Sequence, residues 1–441
     1  MVTASHNPSY DNGYKVYWSN GCQIIPPHDK GIANAILQNL EPVSWDASVV
    51  DGHEPLVQIV PDSVKDRYFE AVCAAAKIPG AGPPQGRPFV YTPMHGVGLP
   101  YMQEAVRRLG MERDMVVVKK QAEPDPDFPT VKFPNPEEHG ALDLAIQTAD
   151  RNGIDLVIAS DPDADRLAVA TKSDGTWHQL SGNQLGVLFA SHILSTISKP
   201  SERAKTALIC TAVSTGMLQA ICAAEGVHFE ETLTGFKWMG NKALELERSG
   251  YNVPFAFEEA IGYMFSRVVH DKDAIAAAAV FLTAAATWRT QHASRGPWEE
   301  YQRLAQKYGS FENANTYLIS PDAGTTNRVF EDIRGLADPF PATLGARRIL
   351  RWRDLTRGWD SATDDHVPVL PASGDSQMIT CELEGKVKFT VRGSGTEPKI
   401  KFYIECQADS AEEAQKGANQ VLDDLLKEWF KPEVYGLKLA S

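Results

Sequence analysis

The stretch SDPDADR at residues 160–166 sets three carboxylates, Asp161, Asp163 and Asp165, at alternate positions. Crowding like charges is unfavourable unless something positive joins them. Three carboxylates can converge on one hard cation, and an all-oxygen set suits magnesium. The run follows apolar DLVIA, so the acids fall just past the carboxyl end of a buried strand, where open α/β sheets hold ligands. A calcium EF-hand shares the D-x-D-x-D opening but needs a glycine sixth and a glutamate twelfth. Arg166 and Lys172 stand at those places, which excludes that reading. A solvated acidic turn is the alternative.

A second stretch, VRGSGTEPKIK at 391–401, reads as an anion site. Successive small residues let backbone N–H groups form a concave nest. Arg392 adds a bidentate fork, Ser394 and Thr396 add hydroxyls around Gly395, and Lys399 or Lys401 adds charge. A glycine-rich hairpin loop is the bland reading. No G-x-x-x-x-G-K-[ST] occurs, which excludes a P-loop nucleotide site.

Two further stretches, LTGFKWMG at 233–240 and FAFEEAIGY at 255–263, sit in strand-to-helix connections. They bring Thr234, Gly235 and Lys237, then Glu258 and Glu259, whose carboxylates can accept hydrogen bonds from sugar hydroxyls or simply cap a helix. A metal site plus a phosphate nest calls for a residue that receives the phosphoryl group. Ser5 in TASHNP at residues 3–8 can do so, although Ser, Asn and Pro together also make an ordinary turn.

The elements that must hold these groups alternate. PFVYTP, MVVVKK and DLVIAS read as strands between the helices LPYMQEAVRRLG and HGALDLAIQTADRNG, a rhythm of parallel βαβ units. The rhythm repeats from TALICTAV to PFAFEE, and DKDAIAAAAVFLTAAATW makes a long helix. After residue 310, strands precede one closing helix, with Ser410 and Glu413 in capping-box spacing, as in an α+β module. The fold class is therefore α/β, with consecutive mixed α/β domains and a C-terminal α+β domain. Boundaries fall near 75, 200 and 310, with SKPSERAK as a linker at the second.

The 441 residues carry a net charge of −14, which disfavours nucleic-acid and anionic-membrane surfaces. No apolar run has the length of a membrane span, and no secretory signal opens the sequence. Six scattered cysteines without a CxxC pair fit reduced thiols. These features predict a cytoplasmic protein.

In this order TASHNP with Lys15, DPDADR, TGFKWMG, FEEAIGY and RGSGTEPKIKFY resemble the motifs of the α-D-phosphohexomutases, the phosphoglucomutase-like enzymes, along essentially the whole chain. The opening looks closest to the branch of phosphopentomutase and glucose-1,6-bisphosphate synthase. The resemblance implies four domains around a central cleft: 1–75 with a phosphoserine loop, 76–200 with the metal loop, 201–310 with sugar-binding loops, and 311–441 with a phosphate-binding loop. It implies that Ser5 is phosphorylated, that Lys15 is the general acid/base with His6 in the same catalytic group, and that Ser5 and the three aspartates bind Mg2+. Arg166, Thr234, Gly235, Lys237, Glu258 and Glu259 then contact substrate. Arg392, Ser394, Gly395 and Thr396 hold the phosphate that is not transferred.

The implied activity is a mutase, primed by a sugar bisphosphate. It moves a phosphoryl group between positions of a pentose or hexose monophosphate through a bisphosphate intermediate. Hexose-specific members tend to read GEESFG where this chain reads FEEAIG. Ala260 cannot bond a sugar hydroxyl, which favours ribose phosphates with residual glucose phosphate activity. Members of the family also carry a segment ahead of TASHNP, so the chain is expected to be N-terminally incomplete. The alternatives are a glucose-1,6-bisphosphate synthase and a non-catalytic remnant that binds sugar phosphates. A monomer is expected, with small sugar phosphates as partners and neither nucleic acid nor membrane.

Overall fold

A computed structural model describes residues 1–48, 59–77, 86–292, 295–394 and 398–439; Gly395 and Thr396 lie outside them. The chain divides into two units, Met1–Ile209 with Gly235–Glu299, and Cys210–Thr234 with Glu300–Ser441.

In the first unit a five-stranded sheet is built from β1 (Phe89–Thr92), β2 (Met115–Val117), β3 (Leu156–Ser160), β4 (Leu167–Ser173) and β5 (Thr176–Leu180), in the order β2-β1-β3-β4-β5. The β1–β2 and β1–β3 pairs are parallel, as the alternation of strands and helices predicts. The β3–β4 and β4–β5 pairs, which lie beyond the three strands read from the sequence, are antiparallel. The cause is local at the second hairpin. Asp174 and Gly175 both take the left-handed backbone, with φ of 47° and 81°, that a two-residue hairpin turn demands. Ser160 pairs with Leu167, so the acidic stretch is the connection of the β3–β4 hairpin.

Helices Leu99–Arg108 and Asp143–Asn152 bury small and apolar faces, Met102, Ala105 and Val106 on the first and Ala145 and Ala149 on the second. The second starts at Asp143 rather than at the preceding glycine and ends at Gly153 in the left-handed region. The alanine-rich helix spans Ala274–Gln291 and is almost wholly buried; Asp273 caps it by accepting from the N–H groups of Ile275 and Ala276. Helix Asp62–Ala76 packs against it, and Tyr68 donates to the Asp273 cap at 2.9 Å. SKPSERAK is not a loose linker. It forms the short helix Pro200–Arg203, and Arg203 donates to the carbonyls of Ile197 and Leu194.

Residues 1–25 contain no regular strand. Isolated bridges, Val2 with Tyr14 and Tyr17 with Gln23, and the backbone bonds from Thr3 to Gly13 and from Lys15 to Met1 give this segment its shape.

The second unit holds a nine-stranded sheet in which the described pairs are antiparallel. Strands Met378–Leu383 and Val387–Gly393 flank the expected Glu-Gly turn, and Lys399–Ala408 follows. Ser410 caps helix Ala411–Asp424. The unit also contains helix Ala323–Arg334 and strand Arg347–Asp354, which the grouping of strands before one helix did not predict. Phe330, Phe389, Phe402 and Phe430 lie at the centre of its core. Among the described residues no helix is long and apolar enough to cross a membrane, and all six cysteines are free.

Candidate active site

One oxygen from each of Asp161, Asp163 and Asp165 lies within 4.8 Å of the others. The hairpin connection curls back to achieve this. Ala164 takes a φ of 58°, and Asp161 Oδ1 accepts the N–H groups of Asp165 at 3.1 Å and Arg166 at 2.9 Å. Asp161 is fully buried; burial, then the charges of Asp165 and Asp163, push its carboxyl well above the usual range. Burial acts on Asp165 in the same direction, but Lys272, Lys15 and Arg166 overcome it and hold that carboxyl below the usual range. The two neighbours are thus driven apart.

The N-terminal segment meets these acids. Ser5 Oγ donates to Asp161 Oδ2 at 3.0 Å and lies 3.1 Å from His6 Nδ1. Thr3 Oγ1 accepts the Ser5 N–H at 2.9 Å and donates to Asp163 Oδ2 at 2.9 Å, so one residue clamps both loops. Ser5 itself sits in the left-handed region with φ 56°. Such strain in a non-glycine residue persists only where the surroundings over-determine it. Lys15 Nζ reaches Asp165 Oδ2 at 3.1 Å and Asp163 Oδ2 at 3.4 Å. Burial, aided by Arg166, lowers the His6 imidazole to about 4, so the ring is neutral at pH 7.

Arg166 extends the cluster. Its Nη1 donates to the Ala260 carbonyl at 2.6 Å, and its Nη2 stands 3.9 Å from Glu258 Oε1. Glu258 is buried at the end of strand Asn252–Glu258, where its Oε2 accepts the N–H of Gly235 at 3.0 Å. Gly235 has φ 103°, a conformation that favours glycine. Arg166 thereby joins the acidic loop to Glu258 and, through it, to Gly235. Glu259 follows, half-buried. Lys237 is half-buried on the next helix with its ammonium 5.6 Å from the Trp238 ring centre, and no described contact brings it to the carboxylates. Thr234 closes the 210–234 stretch of the second unit.

One central group was not anticipated. Lys272 Nζ lies 2.8 Å from Asp165 Oδ2 and 3.7 Å from Asp271 Oδ1. Burial opposes its charge, but these two carboxylates outweigh burial and hold the lysine above its usual range. Tyr17 and Gln23 donate to Asp271 Oδ2 at 3.0 and 2.9 Å, which fixes that support. The available signal was HDKDA, charges crowded into the connection ahead of an apolar helix.

The residues fit a divalent cation. Asp163 Oδ1 and Asp165 Oδ1 are buried without a hydrogen-bond partner. Such atoms cost about 1–3 kcal/mol each when left unsatisfied, and oxygen-only donors suit a hard ion.

In the second unit Arg392 is the penultimate residue of strand Val387–Gly393. Its Nη2 donates to Tyr403 Oη at 3.3 Å, its guanidinium carbon stands 5.7 Å from that ring's centre, and its Nε is buried without a partner. Ser394 is half-buried, and its N–H donates to the Lys399 carbonyl at 2.8 Å.

With this geometry in view, the sequence was compared with known proteins. It matches the descriptions phosphoglucomutase/phosphomannomutase, alpha/beta/alpha domain I over residues 1–42, domain II over 66–175 and domain III over 181–308. It is 43% identical to a probable phosphoribomutase of Schizosaccharomyces pombe over 445 residues, covering 99% of this chain and 75% of that protein. Identity to the phosphopentomutase of Homo sapiens is 41%, over 99% of this chain and 73% of that protein. A human glucose 1,6-bisphosphate synthase is 38% identical over 99% of this chain and 72% of its own length. Among solved structures, the phosphoglucomutase pp63/parafusin from Paramecium, in an open form, aligns with a TM-score of 0.64 at 17% identity over 96% of this chain and 77% of its own. An Aspergillus fumigatus N-acetylphosphoglucosamine mutase in complex with GlcNAc-6P and magnesium aligns at 0.54 and 16% identity, over 96% of this chain and 88% of its own.

Proposed function

Because the chain belongs to the phosphoglucomutase/phosphomannomutase family, in the branch of phosphoribomutase, phosphopentomutase and glucose 1,6-bisphosphate synthase, we propose that it interconverts ribose 1-phosphate and ribose 5-phosphate with Ser5 as the phosphoryl carrier. The protein is a sugar-phosphate mutase, an isomerase. The pentose preference, the roles of individual residues, Mg2+, a sugar bisphosphate primer, the four-part domain division, a monomeric state and a cytoplasmic location are the finer parts of the proposal.

The observation that carries the reading is the Ser5 hydroxyl bonded at 3.0 Å to one member of a three-carboxylate cluster in which two buried oxygens accept no hydrogen bond. Phosphoryl transfer is mostly positioning and charge neutralisation. Asp161, Asp163 and Asp165 would hold the cation, which, when bound, supplies positive charge to the phosphoryl oxygens. Ser5 gives up the group: its O–P bond breaks, a sugar hydroxyl oxygen forms the new bond, and the hydroxyl proton passes to Lys15, which acts as base only after its ammonium has released a proton to solvent. Of the two lysines here Lys15 is the more open, with 21% of its side chain exposed against 7% for Lys272, so it is the proposed proton carrier. Lys272 stays charged beside Asp165. Return of the other phosphate of the bisphosphate to Ser5 reverses these steps. Arg166 and Glu258 supply charge and hydrogen-bond acceptors for the sugar end, joined by Glu259, Thr234, Gly235 and Lys237. Arg392 and Ser394, with Gly395 and Thr396, supply the hold on the phosphate that stays.

The test is turnover by purified protein with Mg2+ and a sugar bisphosphate primer. Ribose 1-phosphate is expected to be converted faster than glucose 1-phosphate, and chelation is expected to stop both. Faster glucose 1-phosphate conversion overturns the pentose preference. The synthase relative motivates a second reading, in which a glycolytic bisphosphate recharges Ser5 and glucose 1,6-bisphosphate accumulates. Net formation of bisphosphate exceeding mutase turnover would favour it.

A further inference from the structure

The turn Pro93–Gly98 leaves the carboxyl end of β1 and carries no group that the proposed reaction uses. It is nonetheless bonded to the acidic loop: Val97 N–H donates to the Pro162 carbonyl at 2.8 Å. A Cβ on Gly96 would lie 2.2 Å from Pro162 Cα and 2.3 Å from the same carbonyl oxygen. One on Gly98 would lie 2.6 Å from Tyr91 Oη, 2.9 Å from Ser160 Oγ and 3.2 Å from Ala164 Cβ. Tyr91 Oη and Ser160 Oγ are themselves paired at 2.8 Å. Gly96 is therefore a place where one backbone approaches another too closely for any side chain, and at Gly98 the room is taken by the Tyr91 and Ser160 hydroxyls.

The turn is held hard. Met94 and His95 are buried and take left-handed φ values of 49° and 60°. Met94 N–H donates to Thr92 Oγ1, and His95 N–H donates to the Gln121 carbonyl. Thr92 donates to Gln121 Oε1 at 2.7 Å, Gln121 Nε2 donates to Thr130 Oγ1 at 2.9 Å, and His95 Nε2 lies 2.9 Å from the same hydroxyl. Met94 also packs with Val131 and Ala141. The segment so anchored continues to Phe133, whose ring meets His6 edge-on with centres 6.1 Å apart.

Three carboxylates that repel one another spread unless anchored from outside. Among the described residues, groups from other elements grip the backbone here at Pro162, whose carbonyl accepts Val97 N–H, at Ala164, whose carbonyl accepts Ala274 N–H, and just beyond at Leu167, whose N–H donates to the Ile261 carbonyl. We propose that the Pro93–Gly98 turn is a positioning element for the cation. It sets where Asp161, Asp163 and Asp165 stand and, through the Gln121–Phe133 segment, fixes the wall beside His6. This inference rests on the reading of the aspartates as cation ligands.

The test measures cation binding without turnover, by Mn2+ electron paramagnetic resonance on the full chain with no sugar phosphate present. Gly96→Ala is expected to weaken Mn2+ tenfold to a hundredfold, the scale of losses when groups that orient ligands are disturbed. Saturating cation is expected to restore kcat, with KM for the sugar phosphate unmoved. Gly374→Ala, where nothing lies within 4 Å of the added carbon, is expected to bind like the unmodified chain. If circular dichroism shows Gly96→Ala unfolded, Gly98→Ala decides, since its added carbon meets the Tyr91 and Ser160 hydroxyls rather than backbone; about a tenfold loss is expected. Unchanged Mn2+ affinity in the folded variant overturns the positioning role. An unmodified chain that binds no Mn2+, or binds it equally after Asp163→Asn, overturns the ligand reading beneath it.

Discussion

The acidic corner of the first unit and the arginine loop of the second are built in opposite ways. At the corner Ser5, Thr3 and Lys272 each contact one of three carboxylates and Lys15 contacts two, all at 2.8–3.4 Å, and the backbone is clamped from several elements. Around Arg392 the described contacts are sparse: one hydroxyl at 3.3 Å and a ring face, with Nε left without a partner. The corner is preorganised for charge at a fixed point, as a reacting group requires. Among the described residues the Arg392 guanidinium donates one hydrogen bond, and a planar fork suits gripping an anion rather than transforming it. Chemistry and binding should therefore separate on mutation.

The largest effect is expected at the corner. Ser5→Ala should lower kcat by roughly a thousandfold or more, the scale seen when a nucleophile is removed, and leave thermal stability nearly unchanged. A variant with more than a tenth of the activity would break the contrast. Asp165→Asn comes next. Removing the acid that Lys15 and Lys272 share should weaken the divalent cation by about a hundredfold, read by titrating Mg2+ against turnover and Mn2+ against binding. Arg392→Ala should raise KM about ten- to a hundredfold, as expected for loss of charge-assisted bonds worth about 1.5–3 kcal/mol, with kcat altered far less. Arg392→Lys should recover only part of this, because a point charge does not replace a fork. An equal fall of kcat in Arg392→Ala would place the loop with the chemistry.

The smallest expected effect concerns two buried glutamates of the second unit. Burial pushes Glu405 up to about 7, against donors from Thr215 and Gly216. Burial acts on Glu231 in the same sense, yet Lys388 and Arg353 bring it down to about 2. The usual value for both is 4.5. Glu405 holds a proton in the folded state that the unfolded chain releases, so its contribution is full below 4.5 and lost as pH rises through 7. Glu231 acts oppositely, contributing above 4.5 and losing that contribution as pH falls toward 2. Resistance of the second unit to urea should thus fall between about pH 4.5 and 7 by on the order of 2 kcal/mol. Glu405→Gln should flatten that limb only. A slope that survives the substitution would assign it to other groups.

Local chemistry was legible in the sequence where spacing alone sufficed. The alternate aspartates after an apolar strand declare themselves within a few positions and do converge, whereas Lys15 came with the family resemblance and Gly395 and Thr396 after Arg392 lie outside the described residues. The strands and helices from Phe89 to Ser160 follow from the same kind of pattern. What escaped was long-range. Lys272 meets Asp165 across 107 residues of sequence, and nothing near either residue names the other. Arg166 bonds a carbonyl at Ala260 rather than a side chain, so residue types could not point to it. The antiparallel return of β4 and β5 was foreshadowed by Asp174-Gly175, but the helical rhythm on either side masks that turn. In the second unit, strand Arg347–Asp354 exposes Leu350, buries the charged Arg353 and Asp354, and lacks the apolar run that marks the other strands.

The serine at the corner is the claim on which the rest depends, and isotopic labelling reaches it most directly. Purified protein incubated with a sugar bisphosphate carrying labelled phosphorus, in the presence of Mg2+, should take up label on Ser5. It should then release that label to unlabelled sugar monophosphate in a chase. Peptide mapping should find the label on the peptide containing Ser5, and Ser5→Ala should take up none. Label found on another residue, or uptake undiminished in Ser5→Ala, would contradict the account.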